Sequence, residues 1–272
     1  MQKSVKINYF LNLGYQLLLI ALPLITTPYV SRVLGDYAIG AYSFTQSIVT
    51  YFTLIGCIGL GLYGQREIAY CQNDFLKRTK LLYELILLKL ISVSFSFIIY
   101  YITIQSMEKF QLLFYIQMID IIANIFDINF FYQGMEDFSK IITRNIIVRF
   151  LSIAAVFMFV KSSDDLPLYV LIQSGSILLG NMSMWIALPK NLVKLQGVSL
   201  EIKKHLKPTL ILFFPQIAVS VYTVLDRTMI ELLTGNTREI GYYEQAQKIV
   251  KLALTIVTAL GTVMLPRISC LF

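Results

Sequence analysis

The sequence predicts an all-α integral membrane fold, and three observations predict it. Hydrophobic residues make up 57% of the chain and charged residues 14%, away from soluble averages in both directions. The stretches 7–31, 37–65 and 166–189 carry no charged side chain; each is long enough to cross ~30 Å of hydrocarbon at ~1.5 Å per residue. Finally, Ile39–Val49 (IGAYSFTQSIV) and Ile240–Val250 (IGYYEQAQKIV) match at Ile, Gly, Tyr, Gln, Ile and Val with an offset of 201, which also pairs Arg66 with Arg267. A repeat of that period in an apolar chain marks a duplicated bundle of membrane helices. With the chain ending at Phe272, the second copy is expected to be only begun.

Eight spans are expected: Tyr9–Val30, Ala41–Tyr63, Leu81–Ile102, Gln111–Tyr132, Ile146–Val160, Pro167–Leu188, Thr209–Glu231 and Ala246–Pro266. The first follows Lys3 and Lys6 as a signal peptide would, but it is too long for a signal core and Thr27-Pro28-Tyr29 is no cleavage site, so it reads as retained. Pro23 and Pro28 in the first span and Pro215 in the seventh read as helix breaks, because proline removes a helical hydrogen bond. The fifth span is the shortest apolar run and needs Arg149 to snorkel towards the headgroups. Residues 1–188 form a first six-helix lobe, 189–208 a basic cytoplasmic linker, and 209–272 the first two helices of a second lobe. An even number of spans per lobe makes the repeat parallel.

The net charge of +7 excludes little by itself, but its distribution is informative. With the N-terminus inside, 15 of 23 Lys and Arg residues fall on the cytoplasmic side, against Arg32, Lys109, Lys161 and Arg238 outside. That is the positive-inside pattern, and it outweighs a nucleic-acid reading of the basic loops. Cys57, Cys71 and Cys270 have neither disulfide nor metal spacing. His205 is read as a solvated linker residue and Glu84 as a headgroup-level one. Asp164-Asp165 is a lone acidic pair in a short outer loop. With no P-loop, no GxSxG and no metal cluster, nothing points to an enzyme, a cofactor or a metal.

Ionisable side chains inside spans are costly and demand a protein or water partner. Gln117, Asp120, Asn124 and Asp127 are spaced three, four and three apart, on one face of a continuous fourth helix. Such a stripe serves equally as packing glue or as function. Lys89 in the third span lies at the depth of Asp127, which predicts a buried pair. Asp120 is then the unpaired acid and the better candidate for ion coupling, beside Asp127 and Lys89. Cations also gather late in the seventh span and early in the eighth: Arg227, Lys248 and Lys251, with Arg32 after the first. Glu244 sits four residues before Lys248 and partly neutralises it, leaving Arg32 and Lys251 as the freer charges.

Six segments, PLITTPYVSRVLG (23–35), YFTLIGCIGLGLYGQREIA (51–69), FFYQGMEDF (130–138), LDRTMI (225–230), GYYEQAQKI (241–249) and VMLPRIS (263–269), together resemble the bacterial polysaccharide transporter family, the oligosaccharide flippases of the multidrug/oligosaccharidyl-lipid/polysaccharide exporter superfamily. The resemblance implies a MATE-like fold of two six-helix lobes around a central cavity. It implies flipping of undecaprenyl-diphosphate-linked oligosaccharide units across the bacterial cytoplasmic membrane for capsule or O-antigen-type polysaccharide. It implies cationic substrate contacts, carried here to Arg32 and Arg227, with Arg66 and Arg267 at the cytoplasmic mouth and Lys251 beside them. Membrane lipids and other polysaccharide assembly proteins are the expected partners, and nucleic acid is not. Competing readings are a drug or metabolite antiporter of the same superfamily, an inactive fragment or assembly partner, and a membrane glycosyltransferase or polymerase. The last would need a sizeable outer loop, and these loops are short.

Overall fold

In a computed structural model the described residues are 5–188, 192, 199–251 and 254; within 5–24 the only side chain described is Leu22. The fold is all-α, with no strand among the described residues. Helix α1 spans Val5–Cys57 but is two helices joined at Gly35, whose φ of 76° and ψ of 176° form its one non-helical backbone position. Glycine meets that left-handed conformation without steric cost. Helix α1 runs unbroken through Pro23 and Pro28, contrary to expectation. A membrane helix tolerates proline, and beside these two Thr26 Oγ1 and Ser31 Oγ add hydrogen bonds to carbonyls one turn back, at Leu22 and Thr27.

After a second break at Ile58 and Gly59 (φ 36° and 76°), α2 (Leu60–Tyr70) completes the descent. Helix α3 (Phe75–Gln105) starts where the Asp74 carboxylate caps the Lys77 N–H. Then come α4 (Gln111–Ile125), the short α5 (Asn129–Gly134), α6 (Phe138–Phe159), a single 3-10 turn (Ser163–Asp165), α7 (Leu166–Ile186) and α8 (Lys203–Thr234). A last helix, α9, begins at residue 237 and is described continuously to 251. The rest of the expected eighth span, to Pro266, lies outside the described residues, as do Arg267 and Cys270.

Among the described residues, five helical stretches have the length and apolarity to cross a bilayer: Ile25–Tyr70, Phe75–Gln105, Gln111–Gly134, Phe138–Phe159 and Lys203–Thr234. The first contains the turn at Gly35 and so covers parts of two expected spans. Helix α7 is 21 residues long, but Gln173, Ser174, Ser176 and Asn181 dilute its apolarity and it is not among the five. Together these helices make an all-α integral membrane protein.

Successive helices run up and down. One end of the bundle carries Gly35, Phe110, Val160 and Gly235, as shown by Tyr29 Oη donating to Val160 O (2.7 Å) and by Lys109 meeting both Glu231 and Thr237. We call it the glycine-turn end. The opposite, basic end joins Gln72 to the Gly134 carbonyl and Lys140 to the Ala187 carbonyl. Apolar cores fill each half: Tyr63, Leu82, Leu85, Phe131 and Met184 near the basic end, and Val49, Tyr100, Phe114, Ile121 and Ile240 towards the other.

Four departures from the sequence reading have clear causes. Helix α8 continues through Pro208 and Pro215 and starts inside the expected linker. It does so because the linker docks: His205 is 2% exposed, held between Tyr63 Oη (2.7 Å) and Glu84 Oε2 (2.8 Å). Glu84, expected to be solvated, is 1% exposed; it also accepts the Glu201 N–H and has Lys80 and Lys204 each at 3.7 Å. The fourth span is not continuous. It breaks over Phe126–Ile128, which turns Asp127 off the α4 face to cap the Asn129 N–H (2.9 Å). Side chains take up three carbonyls at the break: Ala123 by Asn181, Phe126 by Trp185 and Asp127 by Lys89, at 2.8, 2.7 and 2.6 Å. Irregular backbone survives at membrane depth only when buried and satisfied in this way.

The repeated segments meet each other. A Cβ on Gly40 would lie 1.9 Å from Thr237 O, and one on Gly241 would lie 2.1 Å from Asp36 O. Residues 40 and 241, and residues 36 and 237, are both related by the offset of 201, so each contact is the other with the copies exchanged. The glycine turns Gly35 and Gly235 precede the two segments.

Candidate functional site

Two polar cavities adjoin around α6 and α7, each of about 220 Å³. The first is lined by Thr26 and Thr27 of α1, Arg149 and Ser152 of α6, Tyr169 and Gln173 of α7, and Lys248 of α9. The second runs on between α6 and α7 from the shared Arg149, Ser152 and Gln173 to Arg144, Asn145 and Ser176. Helical periodicity explains the grouping: 149 and 152 on α6, and 169, 173 and 176 on α7, are three or four residues apart and share a face.

Arg149 is the central charge. Helix α6 starts at Phe138, not near Ile146, so Arg149 lies eleven residues inside a 22-residue helix, about 16 Å from its start. Its side chain is exposed and lines both cavities. It has no hydrogen bond and no acidic partner among the described residues, and no Asp or Glu lines either cavity. Lys248 joins it from the other side. Glu244, one turn before Lys248, is shared: Arg227 Nε lies 2.8 Å from its Oε2, and its charge also acts on Lys248, as the helical spacing predicts. A guanidinium and an ammonium thus face one polar space that no carboxylate lines, and guanidinium geometry suits phosphate oxygens.

The expected cationic residues do not converge on this space. Arg32 is exposed near the glycine-turn end and lines neither cavity. Arg66 is exposed at the basic end, paired with Glu67 (3.0 Å) and stacked over Tyr63. Arg227 pairs with Glu244, not with Asp226, which instead accepts from Tyr243 Oη. Lys251 is not a free charge, because it donates to Gln247 Oε1 (3.1 Å), an oxygen shared with Arg227. Sequence reasoning misses Arg149 and Lys248 as cavity residues. The available signal is the cost of an ionisable side chain inside an apolar helix, which is hidden when the fifth span is begun at Ile146.

The acidic residues separate into two environments. Lys89, 3% exposed, lies 3.5 Å from Asp127 Oδ2 besides bonding its carbonyl. Asp120 is 4% exposed beside Gln117, which donates to Gln46 Oε1 (3.1 Å), and close to Ser174 and Gln46. Its Oδ1 has no hydrogen-bond partner, and no cation lies at ion-pair distance, among the described residues. Asp165 serves only its own loop. It accepts from the backbone N–H of Lys161 and Ser162, which hold its carboxyl below the usual aspartate range.

Bundle and buried helix break define an integral membrane protein, and its two polar cavities carry Arg149 and Lys248. The chain belongs to the family described as polysaccharide biosynthesis protein, whose model matches residues 5–272. It is similar to a candidate O-antigen transporter of Escherichia coli (strain K12), 22% identical over 253 residues, covering 91% of this chain and 61% of the relative. A candidate O-antigen transporter of Shigella dysenteriae is also 22% identical, over 251 residues, covering 91% and 63%. The chain thus spans about three fifths of the length of these curated relatives. No solved structure matches it.

Proposed function

We propose that this chain belongs to a flippase that carries undecaprenyl-diphosphate-linked oligosaccharide units across the bacterial cytoplasmic membrane for surface polysaccharide synthesis. The carrying observation is the pair Arg149 and Lys248 on a cavity without a carboxylate. A diphosphate leaves water only where cations replace its hydration. The names of the similar proteins support transport of an O-antigen precursor. The basic end faces the cytoplasm in this reading, with the N-terminus inside, a first lobe over 1–188 and the start of a second over 209–272. Arg66, and Arg267 outside the described residues, stand at the cytoplasmic mouth and Arg32 at the far end, as relay charges rather than the binding pair. Arg227 acts indirectly, sharing Glu244 with Lys248.

The test is complementation of a strain lacking its own O-antigen flippase by the protein carrying this chain, scored as surface polysaccharide. Arg149→Gln combined with Lys248→Gln is expected to lower export at least about tenfold, the equivalent of ~1.4 kcal/mol. Arg149→Lys is expected to restore part of it. Full export by the double variant would overturn the assignment. Asp120 supports ion coupling as a second element, since a buried acid without a cation can gain and lose a proton or bind a small cation. Asp120→Asn is expected to stop transport while preserving lipid binding; unchanged transport would make it a packing residue.

A further inference from the structure

A third cavity, about 490 Å³ and mostly apolar, lies between α6 and α7 in the half of the span nearer the basic end. Ile147, Leu151 and Leu179 form its walls and are 53%, 65% and 67% exposed, so it opens on the surface that faces lipid. Met184, 1% exposed, also lines it. It is continuous with the polar interior: Arg144 and Val148 line both this groove and the second polar cavity. Arg144 crosses the helix seam over Gly180, where a Cβ would lie 3.2 Å from Nη1, and reaches Asn129 Oδ1 (2.6 Å) and Asn181 Oδ1 (3.3 Å). Along one seam, then, the protein presents an apolar trough open to the bilayer, an arginine at the junction, and a polar chamber holding Arg149 and Lys248. That sequence of environments is the shape of an amphiphile with a long hydrocarbon chain and an anionic head.

We propose that the α6–α7 groove seats the polyprenyl chain of the transported lipid while its phosphate head occupies the Arg149 chamber. This rests on the flippase reading of that chamber. Hydrocarbon drawn through a polar cavity would be unfavourable, as would a phosphate drawn through lipid; a seam with both linings lets each part stay in a matching environment. The groove lies towards the basic end and the chamber extends from mid-span to the glycine-turn end. The occupied seam therefore holds a lipid whose head has risen past the junction while its chain still trails in the leaflet it came from.

The experiment places a benzophenone amino acid at Leu151, at Leu179 and, as a comparison on a lipid-facing surface outside the groove, at Ile98 of α3, 58% exposed. The probe is radiolabelled undecaprenyl phosphate added to the purified protein in detergent, with unlabelled undecaprenyl phosphate or phosphatidylglycerol as competitor. The proposal expects labelling at 151 and 179 about tenfold above 98, reversed by the unlabelled polyprenyl lipid but not by phosphatidylglycerol, and reduced by Arg149→Gln. Equal labelling at all three positions, with binding of the probe still dependent on Arg149, would overturn the groove and leave the flippase reading intact. Equal competition by phosphatidylglycerol would overturn both. Each photoreactive position is exposed, so these replacements leave the packed core undisturbed.

Discussion

Adding one methyl group at Gly40 tests the contact between the repeated segments. The new Cβ would sit 1.9 Å from Thr237 O, while the equivalent change at Gly241 puts a Cβ 2.1 Å from Asp36 O. In both cases the obstacle is backbone, so no side-chain rotation relieves it. Restoring a tolerable separation of about 3 Å requires the helices to part by roughly 1 Å, the scale of overpacking that costs ~1–3 kcal/mol. Parting them strains the bonds flanking the contact, Tyr242 Oη to Asp36 Oδ2 (2.6 Å) and Ser47 Oγ to Thr228 Oγ1 (2.9 Å). For a chain of this size that cost lowers Tm by roughly 2–10 °C. The assay is thermal unfolding in detergent of Gly40→Ala, Gly241→Ala and the double variant. The exchange symmetry predicts single variants of similar effect. It also predicts a double variant less destabilised than their sum, because one separation accommodates both methyls. A neutral Gly241→Ala beside a damaging Gly40→Ala would refute the symmetric contact.

Three further outcomes follow from bonds described above. His205→Ala is expected to loosen the start of α8, at a cost of ~1–3 kcal/mol for the lost buried hydrogen bonds, seen as faster amide exchange over residues 199–210. Lys89→Met should cost about 3–5 kcal/mol, because it leaves both the Asp127 carboxylate and its carbonyl without their partner; Asp127→Asn, which keeps the carbonyl, should cost clearly less in the same denaturation measurement. The Asp165 carboxyl is depressed in the folded loop by the Lys161 and Ser162 N–H groups. Its contribution is therefore present above the unfolded value near 3.8 and is lost as pH falls through the lower folded value. Asp165→Asn should flatten that acid-side dependence in exchange rates over residues 160–166.

The helices are largely legible in the sequence because apolar runs depend only on local composition. The repeat is legible too, and Gly40 and Gly241 show why those residues recur: each lets a backbone approach that a side chain would block. What sequence spacing does not show is docking. His205 and Glu84 are polar residues of ordinary context until the linker folds back to join them 121 positions apart. The stripe ending at Asp127 misleads because helical period carries no information about Asn181 and Trp185, whose side chains compensate for the break; the approach of Lys89 to Asp127 is legible from their matching depth. A span begun at Ile146 puts Arg149 at a headgroup, and its true setting needs α7 and α9 around it.

The carbonyls released between α4 and α5 have a mechanical consequence. In an intact helix they would be spent within their own strand of the bundle; here they tie α4 and α5 to α7 through Asn181 and Trp185, and to α3 through Lys89. Arg144 adds α6 to the same knot through Asn129 and Asn181. Sliding any one of these helices means breaking buried bonds, so helices α3 to α7 are built to travel as a block. The changes of chain direction fall instead at Gly35, Gly59 and Gly235, outside that block, where positive φ values turn the backbone.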